Sequence, residues 1–301
     1  MPADVTIRPV DGEADFRAWR EVRVAVTPNE RVAPLEEIIR GVKPDDRHLL
    51  AIVGDAVVGS GHAGRASRKG HSWVMPRVVP SFQRRGIGTA LLHELVAHVQ
   101  ALGFDEVDTM ADDPGSVAFG TRFGFYEYDR QVEQIRSIGT EPWPTAPAGV
   151  EIVTLAERPD LTRELYDNVG TQAFEDMAID SPLVVSYEDW EGDWITDPEA
   201  TFAALADGEA IGMAGFNLDP DEPTRAEHAL TVVRRDWRGR GVAAALKRCT
   251  LAWAAENGLV EVYTWTQRGN ADMRALNERL GFTYRTESIS LRSPIPLKLP
   301  A

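Results

Sequence analysis

The sequence predicts an α/β fold of the α+β mixed-sheet kind, built as two tandem copies of one domain. Each copy is expected to be a central, mostly antiparallel sheet flanked by helices. Three observations carry this. The chain has 301 residues, which is long for one domain and natural for two of about 150. A heptapeptide, FQRRGIG at 82–88, recurs as WRGRGVA at 237–243. In each half, strand-like and helix-like segments follow in the order β–α–α–β–β–β–α–β–α–β.

The elements can be justified in turn. Thr6 to Arg17 (TIRPVDGEADFR) reads as strand, turn and helix start, and Glu151 to Arg163 (EIVTLAERPDLTR) reads the same way. HLLAIV and VVGSGHAG flank Gly54-Asp55, a hairpin signal, and TFAALA and AIGMAGFNL flank Asp207-Gly208 in the second half. The β-like runs WVMPRVV (73–79) and ALTVV (229–233) lead into the glycine heptapeptides. Amphipathic helices follow, TALLHELVAHVQALG and AAALKRCTLAWAAENG. Short β runs come next, EVDTM at 106–110 and EVYTW at 261–265, and then short helices ending in Gly-Phe, SVAFGTRFGF and MRALNERLGF. The offset between copies is 155 residues at the first motif and 157 at the last. Between the copies, GTEPWPTAPAG at 139–149 has three prolines and reads as a linker. The expected domains are therefore 1–138 and 150–301.

Composition narrows the function. With 32 Lys plus Arg against 47 Asp plus Glu, the net charge is −15. Nucleic acid and anionic membrane surfaces are thus unexpected partners, because phosphate binding needs a positive surface. No run of 18 apolar residues is present, and MPADVTIRPVDGEADF lacks the pattern of a signal peptide. The single cysteine, Cys249, can form neither an internal disulfide nor a thiolate metal site alone. The expectation is a cytoplasmic protein, monomeric or homodimeric.

The glycine turns are the main chemical signal. Gln83-Arg84-Arg85-Gly86-Ile87-Gly88 and Arg238-Gly239-Arg240-Gly241-Val242-Ala243 each join a strand to a helix. Such a turn presents backbone N–H groups that have no intrahelical partner, in the positive field of the helix dipole, and so suits phosphate oxygens. Neither copy has the Gly-Lys-Ser/Thr of a P-loop or the three-glycine dinucleotide spacing. On these residues both halves resemble the GNAT superfamily of acyl-CoA-dependent N-acetyltransferases. The resemblance covers roughly residues 3–137 and 150–292, and the second half is most similar to the C-terminal halves of the mycothiol synthases. It implies that acetyl-CoA is the cosubstrate, with its pyrophosphate on the turn. Its pantetheine arm would lie along Pro76 to Val78 or along Thr231, Val232 and Val233. It also implies a strand-end asparagine near the arm, found as Asn270; the first half has Asp113 there.

The reaction the resemblance implies is direct attack of an amine on the thioester. The family's tyrosine acid falls on Asn277 in the second half and Gly120 in the first, neither of which donates a proton as a phenol does. Tyr263 and Tyr284 are possible substitutes. Candidate bases are Glu227 and His228, which strand alternation puts on opposite faces, and Asp108, where some family members carry a glutamate. The position matching Asp108 is Trp265. Cys249 lacks a partner base and is expected to be a buried hydrophobe. His93 and His98, in HELVAH, stand five apart, so on a helix they diverge by about 140° and no metal site is expected.

Residues 171–200 hold nine Asp plus Glu and no Lys or Arg, together with Phe174, Tyr187, Trp190 and Trp194. Two readings stay open. Tyr187, Trp190 and Trp194 beside carboxylates suit a cationic amine substrate; alternatively the aromatics anchor a solvated loop to the core. Asp219, Asp221 and Glu222 could extend the negative field. The expected activity is N-acetyl transfer from acetyl-CoA to a small amine. A non-catalytic acyl-CoA-binding protein and a peptide or protein N-acetyltransferase are the alternatives.

Overall fold

The structure, a computed structural model, describes residues 4–27, 32–66, 70–177, 183–195, 197–220 and 222–298. The first half runs β1 (Val5–Pro9), α1 (Glu13–Val26), α2 (Leu35–Arg40), β2 (Arg47–Val53), β3 (Ala56–Arg65), β4 (Ser72–Val78), α3 (Ile87–Ala101), β5 (Glu106–Ala111), α4 (Pro114–Arg122) and β6 (Tyr126–Ser137). The second runs β7 (Glu151–Thr154), α5 (Leu161–Leu165), a π turn into α6 (Thr171–Met177), α7 (Tyr187–Asp189), β8 (Thr201–Ala206), β9 (Glu209–Leu218), β10 (Arg225–Val233), α8 (Val242–Glu256), β11 (Glu261–Gln267), α9 (Ala271–Arg279) and β12 (Thr283–Pro294). The first half follows the order expected from the repeat, and the second follows it with one further short helix, α7, before β8.

The compact units do not follow the expected boundaries. Unit 1 comprises residues 1–130 together with 288–301, and unit 2 comprises 131–287. The reason is a reciprocal exchange of strands. Residues 289–294 of β12 pair antiparallel with β5 in unit 1, and residues 131–137 of β6 pair antiparallel with β11 in unit 2. A repeat fixes which segments are strands, but a strand ladder is satisfied equally well by the equivalent strand of either copy. Ion pairs fasten each borrowed strand. In unit 1, Arg292 donates to buried Asp108 at 2.7 and 3.0 Å. In unit 2, Arg285 donates to buried Glu133, with one contact at 2.7 Å, and Arg225 lies 3.6 Å from it.

Within unit 1 the strand order is β1-β2-β3-β4-β5-β12, and within unit 2 it is β6-β11-β10-β9-β8-β7. The Asp207-Gly208 hairpin forms as expected, with both residues at positive φ (51° and 85°), the geometry of a type I′ turn. In unit 1, α3 lays Leu91, Leu92, Leu95 and Val99 on Leu49, Ala51, Val74 and Val107. In unit 2 both sheet faces are covered. Helix α8 packs on one through Val242, Leu246 and Leu251. On the other, α5, α6 and the segment around Trp190 pack on Leu205, Met213, Leu230 and Val232.

Candidate functional site

Both glycine turns fold alike. Gly86 and Gly241 stand at the N-cap positions of α3 and α8 in the left-handed region (φ 80° and 83°), and neither helix has a side-chain cap. Only at Ala90 and Ala245 do the helical N–H bonds begin, back to the Gly86 and Gly241 carbonyls. The preceding N–H groups therefore point out of each helix end, as an anion requires. Gly239 also has positive φ (75°), and its counterpart Arg84 is forced into the same region at φ 61°. Each turn is tied to its strand by a side chain: Gln83 Nε2 donates to the Val78 carbonyl at 3.1 Å, and Arg238 Nε to the Val233 carbonyl at 2.9 Å. Arg85 and Arg240 stack on Phe82 and Trp237.

The strands before the turns differ. In unit 2, β10 pairs in parallel with β11 only over Arg225–Glu227 and Glu261–Tyr263. Its register against β9 then slips between His228 and Leu230, a bulge at Ala229. The slip changes side-chain parity. Ala226 and Val233 face α8, while Leu230 and Val232 face the α5–α6 side. Beyond Tyr263 the parallel ladder ends, and backbone groups of β10 become available to an extended ligand. In unit 1, β4 keeps continuous register with β3 from Ser72 to Val78, and Pro76 removes one N–H from the equivalent stretch.

Asn270 and Asp113 sit where the repeat predicts, and both are helix N-caps. Asn270 Oδ1 accepts from the Met273 N–H at 3.2 Å, which leaves its amide NH₂ as a donor. Asp113 accepts from Gly115 and Ser116 and has no donor to offer. The residues of unit 2 thus fit a pyrophosphate and an amide-bearing arm: an uncapped 15-residue helix, small residues at its start, exposed strand backbone and an amide at the neighbouring helix start.

The candidate bases separate. His228 is 2 % exposed and lies on the α8 face, Nε2 3.0 Å from Thr250 Oγ1, with the Phe216 ring against it. Burial, reinforced by the charge of Lys247, holds its pKa well below the usual histidine range. It is a core histidine and not the base. Asp108 is likewise committed elsewhere: it is held by Arg292 and accepts from Tyr128 at 3.2 Å. Glu227 remains. It is half-buried, two residues before the bulge, on the face away from α8, in register with Asn217 and with Tyr263. Tyr263 is buried on that same face, with the Arg225 guanidinium 4.2 Å above its ring. Tyr284 is an exposed surface residue donating to Glu278. Cys249 is buried, its thiol pushed up to about 11 by burial. Asn277 is fully buried and donates to Gln134 Oε1 at 2.9 Å, so no proton donor stands there. His98 bonds the Asp45 carbonyl while His93 packs on Phe123, and no cluster of metal-ligating groups occurs among the described residues.

The acidic insertion follows the anchoring reading. Trp190 is fully buried, Trp194 packs on Phe174, and Tyr187 stacks under Arg163 of its own unit at 4.9 Å. Trp190 is thus a core residue. Its carboxylates are partly committed. Although burial opposes it, Arg235 and Arg238 hold the Asp176 carboxyl below its ordinary range. Asp189 closes a capping box with Ser186, and Asp197 accepts from the Leu218 N–H at 2.9 Å. Residues 178–182 and Asp221 lie outside the described residues. Helix α6 is fastened at both ends of the open stretch: Gln172 accepts from the Arg235 N–H at 3.0 Å, and Gln267 donates to the Met177 carbonyl at 3.2 Å.

Sequence reasoning missed three features of this site. The bulge at Ala229 has no residue signature. The buried Glu133 cluster depends on the strand exchange. Lys247 is buried at 1 % exposure because α8 is covered on nearly all sides, while its neighbour Arg248 is exposed, and nothing in ALKRCTLAWA tells the two apart.

Turn, helix start and open parallel strand pair define an acyl-CoA-dependent transferase fold. The acetyltransferase (GNAT) family model matches residues 14–125 and again 162–282, so the chain belongs to that family, with two tandem domains. It is similar to a mycothiol acetyltransferase of Parafrankia sp., 27% identical over 82% of this chain and 83% of the relative. It is also similar to that of Geodermatophilus obscurus, 28% identical over 97% and 99%. Two solved structures share the fold. A tandem GNAT protein from the clavulanic acid biosynthesis pathway has TM-score 0.76, 18% identity and coverage of 97% and 98%. A GCN5-related N-acetyltransferase from Sphaerobacter thermophilus has TM-score 0.74, 20% identity and coverage of 98% and 97%. The protein is an acetyl-CoA-dependent N-acetyltransferase. Among the described residues no helix is long and apolar enough to cross a membrane.

Proposed function

We propose that unit 2 moves the acetyl group of acetyl-CoA to the primary amine of a small molecule, by direct attack while both substrates are bound. The observation that carries this is the bulged, early-diverging β10 feeding an uncapped α8. Bound acetyl-CoA supplies an activated acyl carbon. The N–H groups of Gly241 to Ala244 hold its pyrophosphate, and the Asn270 amide donates to its arm. Glu227 takes the proton of the acceptor amine, directly or through one water, a contribution of about 10²–10⁴-fold. The similarity to mycothiol acetyltransferases over most of the chain supports a small amine acceptor. The net negative charge of the insertion favours a cationic or neutral amine over an anionic one.

Unit 1 has the same uncapped helix start and so supports coenzyme A binding, while its unbulged strand, Pro76 and Asp113 argue against turnover there. The test is calorimetric titration with acetyl-CoA followed by release of free CoA with cationic, neutral and anionic amines. Binding with turnover on small amines is expected. Binding without turnover on any amine supports the non-catalytic reading, which the buried Asn277 favours, and transfer to peptides alone supports a protein acceptor.

A further inference from the structure

Acetyl transfer leaves negative charge on a sulfur inside a desolvated cleft, and Asn277 cannot neutralise it. A cation stands nearby in the fold. Lys247, in the second turn of α8, is 1 % exposed, and no carboxylate pairs with it among the described residues. A buried ammonium without a counter-charge is a costly arrangement for a fold. Its Nζ lies 5.3 Å from the centroid of the Phe282 ring, and the Phe282 N–H bonds the Asn277 carbonyl at 3.0 Å. The bulge is within reach of the Lys247 charge, which acts on His228. His228, just before it, bonds Thr250 one turn further along α8, and Thr231, just after it, lies 3.5 Å from His228 Nδ1. Lys247, on α8, thus lies against Phe282, three residues beyond the end of α9, and acts on His228, where β10 leaves β11.

We propose that Lys247 is the proton donor to the departing thiolate of coenzyme A in unit 2, in place of the phenol that position 277 lacks. This rests on unit 2 being the acetyl-transfer site. The acceptor nitrogen bonds the acyl carbon, and the carbon–sulfur bond breaks with its electron pair on sulfur. One Nζ proton passes to that sulfur, and the amine's surplus proton passes to Glu227. The products are the amide, the thiol of coenzyme A, a neutral Lys247 amine and a protonated Glu227; solvent exchange restores both side chains. Burial brings Lys247 down to about 7, suited to giving up a proton near neutrality. The titratable group coupled to it is His228 on β10, which is held neutral. Cys249, two residues along α8, also stays neutral.

The test is Lys247→Met, which keeps the buried length and removes the charge, with Lys247→Gln as a second variant should the first fail to fold. Calorimetry gives the affinities for acetyl-CoA and for CoA across neutral pH, and the thiolate absorbance of bound CoA gives the protonation of its sulfur. The expected result is acetyl-CoA affinity within about twofold of wild type, CoA affinity about tenfold weaker at mildly alkaline pH, and bound thiolate shifted to higher pH. Turnover should fall about 10²-fold. An unchanged ratio of CoA to acetyl-CoA affinity, with unchanged thiolate titration, overturns the proposal and leaves Lys247 a core residue. Failure of the wild type to bind acetyl-CoA would instead overturn the reading of unit 2.

Discussion

Replacing Asp108 by asparagine separates a structural role from a catalytic one. Asp108 and Arg292 are 7 % and 4 % exposed, joined by two hydrogen bonds, and Arg292 also stacks on Tyr128 at 4.2 Å. Removing the carboxylate strands a buried guanidinium, which costs about 3–5 kcal/mol, whereas replacing both partners by apolar residues of similar size is near neutral. Asp108→Asn should therefore lower the stability of unit 1 by about 3 kcal/mol or more, and Asp108→Leu with Arg292→Met should recover most of it. Denaturant unfolding followed by tryptophan fluorescence measures both, because Trp19 and Trp73 report on unit 1. The folded double variant should keep acetyl-transfer activity. A single variant as stable as wild type, or a stable double variant without turnover, would refute this and return Asp108 to the list of bases.

Three further outcomes are expected. In unit 1, His48 stacks on His62 at 4.0 Å and burial holds it down at about 4, against 6.5 for the free side chain. The unfolded chain therefore binds the extra proton between those values, and stability is complete above about pH 6.5 and lost as pH falls towards 4, by about 3 kcal/mol. His48→Gln should flatten that acid slope in pH-dependent unfolding. A Cβ on Gly170 would meet the Trp190 ring at 3.0 Å in a closed core, so Gly170→Ala should destabilise unit 2 by about 1–3 kcal/mol, read as a lower unfolding midpoint. Asn270→Asp keeps the cap of α9 but loses the amide donor, so melting should hold while acetyl-CoA binding weakens; an unchanged affinity would remove Asn270 from the site.

Much of the fold was legible in the sequence. Two copies of one strand–turn–helix frame gave the element order, and Asp207-Gly208 gave a hairpin whose left-handed residues the structure shows. The strand exchange was not legible, since β6 and β12 have matching patterns and either copy satisfies the ladder. At the site, the glycine turns were legible because backbone geometry limits which residues fit, and Asn270 was placed by the resemblance alone, its role as a helix cap coming from the structure. The catalytic face was not. Alternation placed Glu227 and His228 on opposite faces without saying which was buried, and Thr250 on α8 decided it. Trp190 could have served a ligand or the core, and in the structure it packs on Phe174 and Gly170 in the core.

The most direct test is a comparison of Gly241→Asp with Gly86→Asp in acetyl-transfer rate. Both glycines have the same left-handed φ at a helix N-cap, so backbone strain is matched and each variant places a carboxylate at one helix start. Turnover should be lost in Gly241→Asp and kept in Gly86→Asp. The reverse pattern, or full activity in Gly241→Asp, would contradict the assignment of acetyl transfer to unit 2.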